Sequence, residues 1–112
     1  MARITVFDSG LGSLSIILQM QKLFKSEIIY FADSQSYPYG KKSQAQLEKI
    51  MRKSINLLEK VSPDFIVVAS NTPSLMLNLT TKKIFDVKPP LKEAKELSKS
   101  KQIGILATQS AT

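Results

Sequence analysis

With 112 residues, 43% of them hydrophobic and 7% aromatic, the chain has the size and composition of one folded domain rather than of a disordered polymer. It contains no cysteine and no histidine, which excludes disulfides, thiolate metal sites, a thiol nucleophile and the commonest general base. The net charge of +7 admits an acidic partner, but the lysines are spread from Lys22 to Lys101 with no aromatic-plus-basic motif, so a solvated surface is expected and nucleic acid is not.

Ile4-Thr5-Val6-Phe7 reads as a strand, and Asp8-Ser9-Gly10-Leu11-Gly12-Ser13 as a turn of small residues behind it. Leu14, Ile17, Leu18 and Phe24 recur at near-helical spacing, and Ile28-Ile29-Tyr30-Phe31 gives a second strand. After a loop containing Tyr37-Pro38-Tyr39-Gly40, Ser43 and Gln46 have the spacing of a capping box. Leu47, Ile50, Met51, Leu58 and Val61 then mark one face of a long helix. Pro63-Asp64 breaks the chain, and the apolar run Phe65 to Ala69 predicts a central strand covered on both faces. Thr72 and Pro73 suit the N-cap and first position of a third helix, with Leu75, Met76 and Leu79 on its buried side. Residues 84 to 88 predict a weak strand, Leu91 to Lys99 a short helix and Ile103 to Ala107 a last strand. No run approaches the roughly 18 apolar residues that span a bilayer, so a cytoplasmic chain without membrane contact is expected.

Alternating strands and helices predict an α/β fold, a parallel sheet with helices on both faces, and such sheets bind ligands beyond the carboxyl ends of their strands. The segments of interest are therefore Asp8 to Ser13, Asp33 to Gly40, Ser70 to Ser74 and Thr108 onward. Loops entering helices present free N–H groups and the positive end of the helix dipole, which suit a carboxylate or phosphate, and Ser9, Gly10, Asn71 and Thr72 stand there. Asp8 is able to accept from an ammonium group, so together these residues would recognise a small zwitterion. The alternative is structural: Ser9 and Thr72 cap helices and Asp8 satisfies its own turn. Gly40-Lys41-Lys42-Ser43 lacks the earlier glycine of a phosphate loop, and Gly10 and Gly12 lack the third glycine of a dinucleotide fingerprint. A receiver domain would carry an aspartate where this chain has Ser70.

Val6 to Gly12, Ile29-Tyr30-Phe31-Ala32-Asp33-Ser34, Tyr37-Pro38-Tyr39-Gly40 with Lys42-Ser43, Val67 to Ser74, and Ile103 to Thr108 resemble, in order, sequence blocks of the glutamate racemase family. The resemblance implies an aspartate/glutamate racemase-like domain over residues 1–100, incomplete by itself, followed at 101–112 by the opening strand and turn of a second domain. It also implies a racemase that needs neither cofactor nor metal, in which paired cysteines flank the α-carbon of glutamate. One removes a proton while the other delivers one to the opposite face, and the D-glutamate formed serves peptidoglycan synthesis. By this resemblance Asp8, Ser9, Tyr39, Gly40, Asn71, Thr72 and Thr108 would contact substrate, and Ser70 would occupy the position of the first catalytic cysteine. The family's second threonine would fall at Ala111, with Thr112 one residue late, so that contact is not carried over.

A serine hydroxyl is too weak an acid to supply the base that a thiolate provides, and the second cysteine belongs to the half beyond this chain. The chain, truncated in this way, is therefore expected to be inactive. The alternatives are a non-catalytic amino-acid-binding or regulatory protein derived from a racemase, and a homodimer in which two strand-end faces imitate the two-domain cleft.

Overall fold

A computed structural model describes residues 1–23, 25–36 and 38–106, the side chains of residues 75 and 76 excepted. Strand β1 (Ala2–Asp8) leads to helix α1 (Leu14–Leu23) and strand β2 (Ser26–Ala32). A short 3-10 turn (Tyr39–Lys41) precedes helix α2 (Gln44–Glu59), and β3 (Phe65–Val68), α3 (Asn71–Met76), β4 (Ile84–Asp86) and α4 (Leu91–Leu97) complete the order. The strands form one parallel sheet in the order β2-β1-β3-β4, with Val6 opposite both Tyr30 and Val67, and Val68 opposite Asp86. From β1 the chain first moves outward to β2 and then returns to the other side as β3. The sheet thus reverses direction between β1 and β3, which is where such folds open a crevice.

Strand alternation sorts the core into two layers. Ile4 and Val6 face α1 and pack with Ile16, Ile17, Met20 and Val67, while Phe7, Ile66 and Val68 face α2 and pack with Leu47, Met51 and Leu58. Helices therefore cover both faces, as expected for an α/β domain. Phe7 anchors the second layer, its ring stacked between Phe31 at 5.7 Å and Tyr39 at 6.2 Å. Full burial of Leu47, Met51 and Phe7 stabilises the fold by about 1.5–3 kcal/mol each.

Helix α2 starts as its sequence dictates. Gln46 N–H donates to Ser43 Oγ at 3.2 Å and Ser43 N–H donates to Gln46 Oε1 at 2.9 Å, closing the capping box. At its far end Ser62 adopts a left-handed φ of 52° and donates its N–H to Glu59 O at 3.0 Å, and Pro63 prevents continuation.

Other elements depart from the periodicity. Ile17 packs against the sheet as its spacing predicts, but Leu14 and Leu18 lie on the exposed side of α1, and Ile16 and Met20 pack in their place; Leu11, Leu14 and Leu18 are left exposed to solvent. Phe24 and Tyr37 fall outside the described residues. Strand β3 is central, but its α1-facing side is covered incompletely: Phe65 is 40% exposed and meets Phe85 edge-on at 5.7 Å. Helix α3 begins two residues early, with Ser70 as N-cap and Thr72 buried inside the first turn. Pro73 is tolerated there because a first-turn N–H has no intrahelical partner to lose.

Residues 103–106 form no strand, and Leu106 is fully exposed. A strand exists only by pairing, and no edge of this sheet reaches that segment. Among the described residues no helix is long and apolar enough to cross a membrane.

Candidate functional site

The C-terminal ends of β1 and β3 lie side by side, held by Ala69 N–H donating to Phe7 O at 2.8 Å. An open cleft of about 520 Å³ lies over this junction, lined by Asp8, Ser70 and Asn71, by Ser15 of α1 and by Lys88 after β4. This is the β1/β3 crevice that the sheet order creates.

Asp8, the last residue of β1, is 7% exposed and does two jobs with one carboxylate. Its Oδ1 accepts the Ser9 N–H at 2.7 Å and its Oδ2 accepts the Ser13 N–H at 2.9 Å. The structural alternative for Asp8 is thus realised, because the carboxylate closes its own turn. A carboxylate has about four acceptor positions, so each oxygen keeps one for a donor in the cleft. The same loop is pinned from the sheet by the Tyr30 hydroxyl, which donates to Gly10 O. Ser9 is half-buried and lines an adjoining hollow with Asp8, Gly10, Leu11 and Ser34.

Ser70 follows β3 directly and is 7% exposed. Its side chain makes no cap hydrogen bond, while its carbonyl accepts from the Ser74 hydroxyl at 2.9 Å, which orders the first turn of α3. The Asn71 amide stands exposed beside it and is free to offer both donors and an acceptor to a ligand.

Tyr39 and Gly40 are buried and do not line the cleft. The Tyr39 hydroxyl donates to Asp33 Oδ2 at 2.8 Å, and Asp33 Oδ1 accepts the Ser36 N–H at 3.3 Å. Burial, with the Asp33 hydrogen bond and the charges of Asp33 and Asp8, raises the Tyr39 phenol well above its ordinary value, so it stays a neutral donor. Thr72 is buried behind Asn71, and Thr108 lies outside the described residues.

The cleft therefore unites Asp8, Ser70 and Asn71, with Ser9 next door, and adds Lys88. The ammonium of Lys88 lies 3.7 Å from Asp86 Oδ2, with its side chain 55% exposed. Extending the weak strand to residue 88 hides this lysine inside β4; ending the strand at Asp86 puts Lys88 at a strand end like the other site residues. Among the described residues no three carboxylates gather as a metal site would require.

No family model matches the chain. A glutamate racemase of Chlorobaculum tepidum is 40% identical over 114 residues, which are 95% of this chain and 42% of the relative. One from Buchnera aphidicola subsp. Acyrthosiphon pisum is 36% identical over 111 residues, 93% of this chain and 42% of the relative. The solved glutamate racemase of Aquifex pyrophilus superposes with a TM-score of 0.74 at 29% identity, over 87% of this chain and 41% of that one. The chain is a homologue of the N-terminal half of glutamate racemases. It spans less than half the length of these relatives.

For a glutamate racemase homologue, the cleft has the polar groups to hold an amino acid but lacks the thiol that the resemblance leads one to expect at the end of β3. An acceptor at Asp8, an amide at Asn71 and a cation at Lys88 complement an ammonium group and carboxylates. Ser70 stands at that position, in a sequence with no histidine to take its proton.

Proposed function

We propose that the chain forms one wall of a glutamate-binding cleft of the racemase kind, and that by itself it binds the amino acid without inverting it. The observation that carries this reading is Ser70 between Asp8 and Asn71 at the β1/β3 crevice, in a sequence with neither thiol nor imidazole. Two-base racemisation needs a group that takes the α-proton and another that returns one from the opposite face. A thiol with a pKa of about 8.5 is tunable to the first task, whereas an unassisted serine hydroxyl is not. The opposite wall, which the resemblance assigns to a second α/β domain, would supply the other group.

In this reading the ligand's ammonium group approaches Asp8, and its carboxylates approach the Asn71 amide and the Lys88 ammonium. The reaction of the whole racemase is interconversion of L- and D-glutamate without a cofactor, in the cytoplasm, feeding peptidoglycan synthesis. Titration of the labelled protein with L-glutamate, followed by amide NMR, tests the binding step. Shifts confined to residues 8–15, 70–72 and 86–90 support the assignment, and an unperturbed cleft at tens of millimolar ligand removes it.

A further inference from the structure

The charges on α2 do not pair off evenly. Glu48 stands four residues before Arg52, the spacing at which opposite charges meet on a helix. Lys49 and Lys53 stand at the same spacing from each other, and every position three or four residues from either is neutral or basic. Like charges so placed weaken a helix. Among the described residues neither lysine takes part in an ion pair.

Both lysines, together with Lys42, line a concavity of about 640 Å³ between α2 and the end of β2. Phe31, Ile50 and Leu57 give the same groove an apolar lining, and Leu57 is 46% exposed. The Asp33 carboxylate also borders it, held by the Tyr39 hydroxyl and the Ser36 N–H, so three lysines share the groove with one carboxylate. The groove shares no residue with the Asp8–Ser70 cleft.

We propose that this groove docks an extended acidic segment of a partner protein, with carboxylates at alternate positions facing Lys49 and Lys53. Lys49 and Lys53 are separated by about 6 Å along the helix axis, close to the ~6.6 Å between alternate residues of an extended chain. Side chains at that repeat project from one face of an extended chain, so successive carboxylates pair with successive lysines. A compact phosphate fits less well, because the cations run in a row instead of converging. The nearby N–H groups of Ser36, Ser43 and Gln46 are already bonded within the protein.

The test is fluorescence anisotropy at 0.15 M salt with a labelled peptide of alternating glutamate and leucine or alanine. Binding to the unaltered protein is compared with Lys49→Glu/Lys53→Glu and with Lys92→Glu/Lys95→Glu on α4, which changes net charge equally. The groove pair is expected to weaken binding about tenfold or more, and the α4 pair less than about twofold, because the groove contacts are local. Lys49→Gln/Lys53→Gln, which leaves the surface uncharged instead of reversed, is expected to weaken binding by a smaller factor. Equal losses in the two charge-reversed proteins would reduce the effect to net charge and overturn the proposal. So would no binding at millimolar peptide, or displacement of the peptide by pyrophosphate or by single-stranded DNA at lower concentration than by unlabelled peptide.

Discussion

Asp8 Oδ2 accepts the Ser13 N–H at 2.9 Å, so the last residue of β1 fixes the start of α1 across the whole intervening loop. Both groups are buried, and a buried donor left without its acceptor costs its desolvation. Asp8→Ala is expected to lower stability by about 1–3 kcal/mol, read as a lower urea midpoint at unchanged slope. Hydrogen exchange should quicken at the Ser9 and Ser13 amides first.

Ser13 offers the opposite case. Among the described residues its buried hydroxyl has no partner, whereas its N–H is the group that Asp8 holds. Ser13→Ala removes the unpaired hydroxyl and keeps the N–H, so a gain of about 1 kcal/mol is expected in the same denaturation experiment.

Tyr39 sets a pH dependence. Its folded-state pKa lies above the unfolded value of about 10, so the folded chain holds the phenolic proton more tightly. This contribution to stability is complete below about pH 10 and is lost as pH rises through the folded value. Tyr39→Phe should therefore show a shallower fall in melting temperature above pH 10 than the unaltered chain. At neutral pH it should lose about 1–2 kcal/mol, because Asp33 Oδ2 forfeits its donor.

Lys88 bears on ligand choice. Its ammonium borders the cleft but is more than half exposed, so its pull on a ligand carboxylate is screened. Lys88→Ala is expected to weaken glutamate about three- to tenfold, the range of an exposed charge-assisted contact, and to leave alanine binding nearly unchanged. Calorimetric titration with both amino acids measures the difference.

Much of the fold was legible where one local signal decided the outcome. Ser43 with Gln46 fixed the start of α2, and the apolar run from Phe65 located β3. Where tertiary packing decides, the pattern misled: six of the ten residues of α1 are apolar, so its periodicity does not say whether Leu14 and Leu18 or Ile16 and Met20 join Ile17 against the sheet. The run at 103–106 has strand composition but no neighbour, and pairing is a property of the partner as much as of the segment. In the site, Asp8, Ser70 and Asn71 followed from the rule of strand ends. The burial of Tyr39 did not, because the ring it stacks on, Phe7, lies on a strand far away in sequence.

The most direct test of a cleft that binds without inverting is the α-proton of L-glutamate in deuterated buffer, followed by NMR for the unaltered chain and for Ser70→Cys. The unaltered chain is expected to leave the α-proton signal intact at ligand concentrations that shift its cleft amides. Ser70→Cys, lacking the opposing acid, is expected to give no sustained conversion to the D-enantiomer. Exchange with inversion by the unaltered chain, or steady turnover by the Ser70→Cys protein, would contradict that reading.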